Sequence, residues 1–174
     1  MRHETLIHYN NDPVFFSEFL DPYLKYGSGL FADDSSDFET AAVRMLDHSI
    51  SLAQINANDR ILDIGCGWGS LYKRLIEKRP VNSYIGLTPS SEQISYIRRN
   101  INADCHLIEV DFENCILEDQ FDVVFLNDSF CHLKEKQTQF QRISSLLKPN
   151  GRATYKSFPT FDNTGTFDFF QTLQ

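Results

Sequence analysis

The chain has 174 residues, enough for one domain with a single sizeable core. Its 41% hydrophobic and 13% aromatic content fits a globular chain and argues against disorder. The net charge of −8 argues against nucleic acid and anionic membrane as main partners, since both require a basic field.

From the N-terminus, residues 1–35 are aromatic and turn-rich. Asp12 reads as an N-cap with Pro13 at the first helical position, and the short helix that follows ends at Asp21-Pro22. Tyr26-Gly27-Ser28-Gly29-Leu30-Phe31 is a loop. Residues 36–55 form the clearest helix, because Phe38, Ala41, Ala42, Met45, Leu46, Ser49, Ile50 and Ala53 keep helical spacing. No signal peptide is read in the polar N-terminus, and no apolar run approaches the ~20 residues that span a bilayer. Cys66, Cys105, Cys115 and Cys131 form no C-x-x-C pair and no metal-ligand spacing. The expected setting is therefore cytoplasmic, with reduced, mostly buried thiols and no bound metal.

From residue 60 strands and helices alternate: strand 60–64, helix 70–79, strand 81–87, helix 90–101, strand 105–110, strand 121–126 and helix 135–147. The turn Lys148-Pro149-Asn150-Gly151 then leads to strand 152–158. This alternation predicts an α/β fold with a Rossmann-like, doubly wound, mostly parallel sheet. The expected division is a helical cap over 1–57, an α/β core over 58–158 and a tail over 159–174. Ligands in such sheets bind off the carboxyl ends of the strands. That rule selects the loops 65–69, 86–93, 111–113 and 127–132, and the segment after 158.

The chain is organised around Arg60-Ile61-Leu62-Asp63-Ile64-Gly65-Cys66-Gly67-Trp68-Gly69-Ser70-Leu71, a buried strand, a glycine turn and a helix start. Glycines at alternate positions let the backbone approach a ligand closely, and the helix behind them aims unpaired N–H groups over the turn. An ordinary tight turn is the competing reading. The strand before, the helix after and the acid two residues ahead of Gly65 set this loop apart from it. A dinucleotide fingerprint wants G-x-G-x-x-G/A. Here Ser70 holds the third-glycine place, and Trp68 adds bulk where a pyrophosphate would need closeness. S-adenosylmethionine carries no phosphate and does not need that approach.

Leu62-Asp63-Ile64-Gly65-Cys66-Gly67-Trp68-Gly69 resembles the first motif of class I S-adenosylmethionine-dependent methyltransferases. It is most similar to the cyclopropane-fatty-acid synthase and mycolic-acid methyltransferase branch. Three more stretches resemble that branch: 8–16, its tyrosine-led opening helix; 21–31, its tyrosine loop; and 85–93, its second-strand motif, where threonine replaces the usual ribose-binding acid. The resemblance covers roughly residues 8–158.

It implies that Gly65, Cys66, Gly67 and Gly69 carry the methionine part of S-adenosyl-L-methionine, with Asp63 organising the loop or reaching the amino group through water. Tyr9, Tyr26 and Gly27 would approach the cofactor from the N-terminal side, the last two at its carboxylate. Thr88 and Gln93 would hold the ribose, Leu87 would pack beside the adenine, Asp111 would accept from the adenine amino group, and Phe112 would lie against the ring. Asn127 would face the sulfonium.

The branch forms cyclopropanes with a bicarbonate held by a glutamate–histidine pair and a tyrosine-loop cysteine. Here Cys131 replaces the glutamate and Ser28 the cysteine, which puts cyclopropanation in question. His132 remains as the candidate base, with Asp128 second. The expected activity is methyl transfer to a small-molecule or lipid-like acceptor lying against Phe15, Phe16, Phe31 and the 128–133 loop. The rivals are cyclopropane-type or intramolecular ring-closing chemistry, and a non-catalytic cofactor-binding subunit. Only sixteen residues follow Phe158, too few for the helix, strand and hairpin that usually close this fold. The expectation is a sheet with a raw edge, covered by the tail, by a second subunit in a homodimer, or by further chain.

Overall fold

Apolar residues alternate along β1 (Arg60–Ile64): Ile61 packs into one core cluster, Leu62 and Ile64 into another on the opposite face. The same period of two along β4 (Phe121–Leu126) sends Val123 and Phe125 one way and Val124 and Leu126 the other. A strand buried on both faces is the mark of a parallel sheet covered by helices on each side. The computed structural model describes residues 10–32, 37–79, 81–101, 104–161 and 167–173, with side chains as far as residue 156.

The remaining core strands are β2 (Ser83–Thr88), β3 (His106–Glu109) and β5 (Leu147–Phe161), and a last strand, β6, spans Phe167–Leu173. Their order is β3-β2-β1-β4-β5-β6, parallel through β5 and antiparallel at β6. Strand order reverses between β1 and β4, which puts the ligand crevice of a doubly wound sheet at their carboxyl ends.

One sequence expectation changes. Lys148-Pro149-Asn150-Gly151 is not a turn before the last core strand but a bulge within β5. Leu147 pairs with Phe121 and Arg152 with Val123, and Asn150 adopts φ 64° to take up the extra length. Of the covers expected for the sheet edge, the tail supplies one, as β6 pairs with β5 antiparallel from Ala153↔Leu173 to Phe161↔Phe167.

Three helices start at side-chain caps. Asp12 accepts a 2.8 Å hydrogen bond from the Val14 N–H to start α1 (Pro13–Ser17), and Asp37 accepts from Thr40 N–H to start α2 (Phe38–Ala53). The buried stripe of α2, including Met45, Leu46 and Ile50, packs toward α3 (Ser70–Lys78) and β5. Ser90 caps α4 (Ser91–Asn100) through the Gln93 N–H. A fifth helix, α5 (Lys136–Leu146), covers the other face with Ile143 and Leu146. At five residues α1 is too short to stand alone. It is held by Phe16, which is fully buried with Leu24 against Trp68.

Candidate functional site

A cleft of about 730 Å³, counted to its open mouth, lies over the carboxyl ends of β1, β2 and β4. Its walls come from the glycine loop, the start of α4, the segment after β4 and the N-terminal segment around Tyr26.

The loop is fixed from below. The N–H groups of Gly65 and Cys66 both donate to the Leu87 carbonyl at 2.9 Å, tying the end of β1 to the end of β2. Gly67 and Gly69 stand at φ 56° and 80°, conformations that favour glycine. They differ in what surrounds them. A Cβ at Gly69 would meet the Ile97 and Ile101 side chains below 3.0 Å, whereas one at Gly67 would meet nothing within 4 Å. Gly69 is therefore a packing glycine, and Gly67 presents bare backbone to the cleft. Beneath it Asp63 is buried and accepts a 2.6 Å hydrogen bond from the Tyr84 hydroxyl. Burial pushes the Asp63 carboxyl up to about 7, against the pull of the Tyr84 bond.

At the end of β2 the buried Thr88 hydroxyl donates to Gln93 Oε1 at 2.6 Å, and the pair faces the cleft. Ser90 Oγ reaches Asn10 Oδ1, so the N-terminal segment is fastened to α4. The expected adenine partners are placed differently. Leu87 and Phe112 are buried in one core cluster, with the Phe112 ring 4.3 Å beneath the Arg142 guanidinium. Asp111 caps the short turn Phe112–Asn114 through the Glu113 N–H. Gly69, Leu87, Asp111 and Phe112 are not on the cleft wall, because packing and capping account for their orientation. Phe16 is likewise a core residue rather than a surface for an acceptor, while Phe15 and Phe31 are exposed. Tyr9 lies outside the described residues.

After β4 the chain passes Asn127, whose amide nitrogen and oxygen are both buried without a hydrogen-bond partner. Such an orphan is costly unless something else satisfies it. Asp128 follows at φ 58°. Its carboxylate is shared by two buried ammonium groups, Lys25 at 2.9 Å and Lys156. Lys156 also donates to Ser28 Oγ, and Lys25 donates to the Ser28 carbonyl at 2.8 Å. Burial lowers Lys156 from its ordinary value while Asp128 raises it. With both oxygens engaged by ammonium groups, Asp128 is an anchor for the Tyr26–Ser28 segment rather than a free proton acceptor. Gly27 crosses above it so closely that a Cβ there would lie 2.1 Å from Asp128 Oδ2.

His132 ends the 3₁₀ turn Phe130–His132, exposed on the cleft wall. Partial desolvation by the cleft wall, seconded by Lys136, holds its imidazole below the ordinary value and so neutral near pH 7. Cys131 is exposed, with its sulfur 3.3 Å from the Asp128 carbonyl. Among the described residues no cluster of His, Cys, Asp and Glu is arranged to hold a metal.

Sequence reasoning missed Lys25, Lys156 and Ser129. The Ser129 hydroxyl donates to the Ile64 carbonyl and so links the β4 segment to β1. Lys25 and Lys156 lie far apart in sequence and meet through Asp128 and Ser28 only in the fold, so no local signal marks them. Their position next to the tyrosine loop and within β5 is the one hint that the sequence carries.

Residues 2–169 match the protein family described as mycolic acid cyclopropane synthetase. The cyclopropane-fatty-acyl-phospholipid synthase of Escherichia coli (strain K12) is 32% identical over 147 residues, covering 83% of this chain and 37% of that protein. The (S)-coclaurine N-methyltransferase of Papaver somniferum is 28% identical over 132 residues, 74% of this chain and 38% of its own. Among solved structures, mycolic acid cyclopropane synthase CmaA1 complexed with SAH and CTAB superposes with a TM-score of 0.79 at 24% identity, covering 91% of this chain and 58% of that one. The chain spans about a third of the length of the curated relatives it matches. With the strand order, the switch-point cleft and the family match in agreement, the chain belongs to the mycolic acid cyclopropane synthetase family.

Proposed function

We propose that this domain binds S-adenosylmethionine and transfers its methyl group to a small-molecule or lipid-like acceptor. The observation that carries the reading is the meeting of bare Gly67 backbone, the Thr88–Gln93 pair and the unpartnered Asn127 amide in one cleft. These groups fit the cofactor by chemistry: Gly67 admits close approach, Thr88 and Gln93 offer hydroxyl-binding groups, and the Asn127 amide awaits a polar partner. When bound, the cofactor supplies a methyl group already activated on a sulfonium. The chain's own contribution is positional, since it aligns the acceptor, keeps water out and accepts a proton. His132, neutral near pH 7 and on the cleft wall, is the group for that last task.

A second reading, cyclopropane-type chemistry, is supported by the family match and the Escherichia coli relative. Against it, Ser28 Oγ is taken by Lys156 and the Cys131 sulfur lies by the Asp128 carbonyl, so the two substituted anion holders are engaged elsewhere. A bicarbonate requirement for turnover would decide in its favour.

The described residues include no helix long and apolar enough to cross a membrane. A cytoplasmic setting, and a second subunit or further chain beside β6, belong to this proposal. Calorimetric titration with S-adenosylmethionine, its demethylated product S-adenosylhomocysteine and NAD tests it. Micromolar affinity for the first two without NAD is expected; no heat from either removes the reading.

A further inference from the structure

The ion-paired group beyond β4 holds two ammonium groups to one carboxylate. Lys25 and Lys156 are 4% and 6% exposed, and both pair with Asp128, so that group carries one more positive than negative unit. A buried ammonium is costly unless it is paired and its donors are used. Lys156 uses its donors on Asp128 Oδ1, Ser28 Oγ and the Ser28 carbonyl. Lys25 does not. Its Nζ donates to the Ser28 carbonyl and to Asp128 Oδ2, which leaves one of three N–H donors without a partner among the described residues.

The nearby carboxylates do not fill the gap. Asp21 spends its oxygens on the backbone N–H groups of Tyr23 and Lys25, and Asp63 is bound by Tyr84 under the glycine loop. Lys25 lines the cleft.

Position says which ligand is served. Thr88 ends β2 and Gln93 lies in the first turn of α4, on one side of the glycine loop. Asp128 follows β4 and Lys156 lies in β5, on the other side. The cluster therefore flanks the region beside Asn127 and His132, away from the ribose-type pair. We propose that the methyl acceptor carries a carboxylate or phosphate group and that Lys25 binds it, making Lys25 a specificity-determining residue. This rests on the methyltransferase reading of the cleft. The acidic group is a handle that orients the acceptor, and the surplus charge excludes cationic ones.

Calorimetric titration of the chain loaded with S-adenosylhomocysteine tests this with matched probes: phenylacetate against phenylacetamide, and phenyl phosphate against phenol. At least one acid should bind tenfold or more tighter than its neutral partner, and which acid does so separates a carboxylate from a phosphate handle. Lys25→Met should erase the difference and Lys25→Arg keep it, with affinity for S-adenosylhomocysteine within twofold of the unaltered chain. Equal binding of acid and neutral partner, or no binding of either pair, overturns the proposal. So does a loss of S-adenosylhomocysteine affinity in Lys25→Met, which would give the ammonium to the cofactor's own carboxylate. If that variant does not fold, displacement of the tighter acid by inorganic phosphate in the unaltered chain serves instead, and no displacement sinks the idea. Repeating the titrations without S-adenosylhomocysteine keeps the two failures apart: a chain that never binds that compound defeats the methyltransferase reading, while the acid preference is judged separately.

Discussion

The Tyr84 hydroxyl donates to the Asp63 carboxylate at 2.6 Å across the β1–β2 pair, directly beneath the glycine loop. Burial raises the Asp63 carboxyl to about 7, so the folded chain keeps that proton to near neutrality. The unfolded chain loses it near pH ~4. Between those values the folded state binds more protons, and the contribution of Asp63 to stability falls as pH rises. Denaturant unfolding from pH 4 to 8 should show an Asp63-dependent loss on the order of 4 kcal/mol. Asp63→Asn should flatten the curve by that amount, and superimposable profiles would dismiss the buried acid.

Gly67→Val and Gly69→Val should fail in different ways. At Gly67 a side chain meets no protein atom and bears only the left-handed strain, roughly 1–2 kcal/mol. That variant should fold with a modestly lowered Tm and lose S-adenosylhomocysteine binding. Gly69→Val collides with Ile97 and Ile101 and should lose stability first. Calorimetry and thermal melts side by side separate the two, and unchanged affinity in Gly67→Val would remove the loop from the binding site.

His132→Ala should leave cofactor affinity intact and slow turnover by on the order of 10²-fold, the usual contribution of a positioned base. Its imidazole is held below the ordinary value, so activity that depends on the neutral form should rise through a pH lower than that of free histidine and stay level above it. Full activity in the variant strikes His132 from the mechanism.

Asp128→Asn leaves two buried ammonium groups facing each other. Removing one partner from a buried pair costs about 3–5 kcal/mol, so the variant should unfold at markedly lower denaturant. Combining it with Lys156→Met should restore part of the loss, which a double-mutant cycle measures. Simple additivity would mean that the three side chains do not form a unit.

The sequence made legible what depends on neighbours in the chain. The glycine loop, the Asp12 cap and the helical spacing of α2 all rest on spacing within a few residues, and the structure carries each of them. What escaped depends on distance. Lys25, Asp128 and Lys156 come together only after β4 and β5 have paired. The Lys148–Gly151 stretch has turn chemistry, yet its partner Phe121 keeps it within the ladder as a bulge. Leu87 and Phe112 stand at motif positions, and tertiary packing gives their side chains to the core.

Trp68 is the chain's single tryptophan. It sits inside the glycine loop and stacks against Phe16 of α1 at 5.2 Å and Tyr96 of α4 at 5.4 Å. The loop that forms the cleft floor and the segment that overhangs it thus share one indole. Its emission is a built-in gauge of the N-terminal segment, readable without any label. Stopped-flow traces of that one fluorophore would report whether that contact changes as ligands come and go, and how fast.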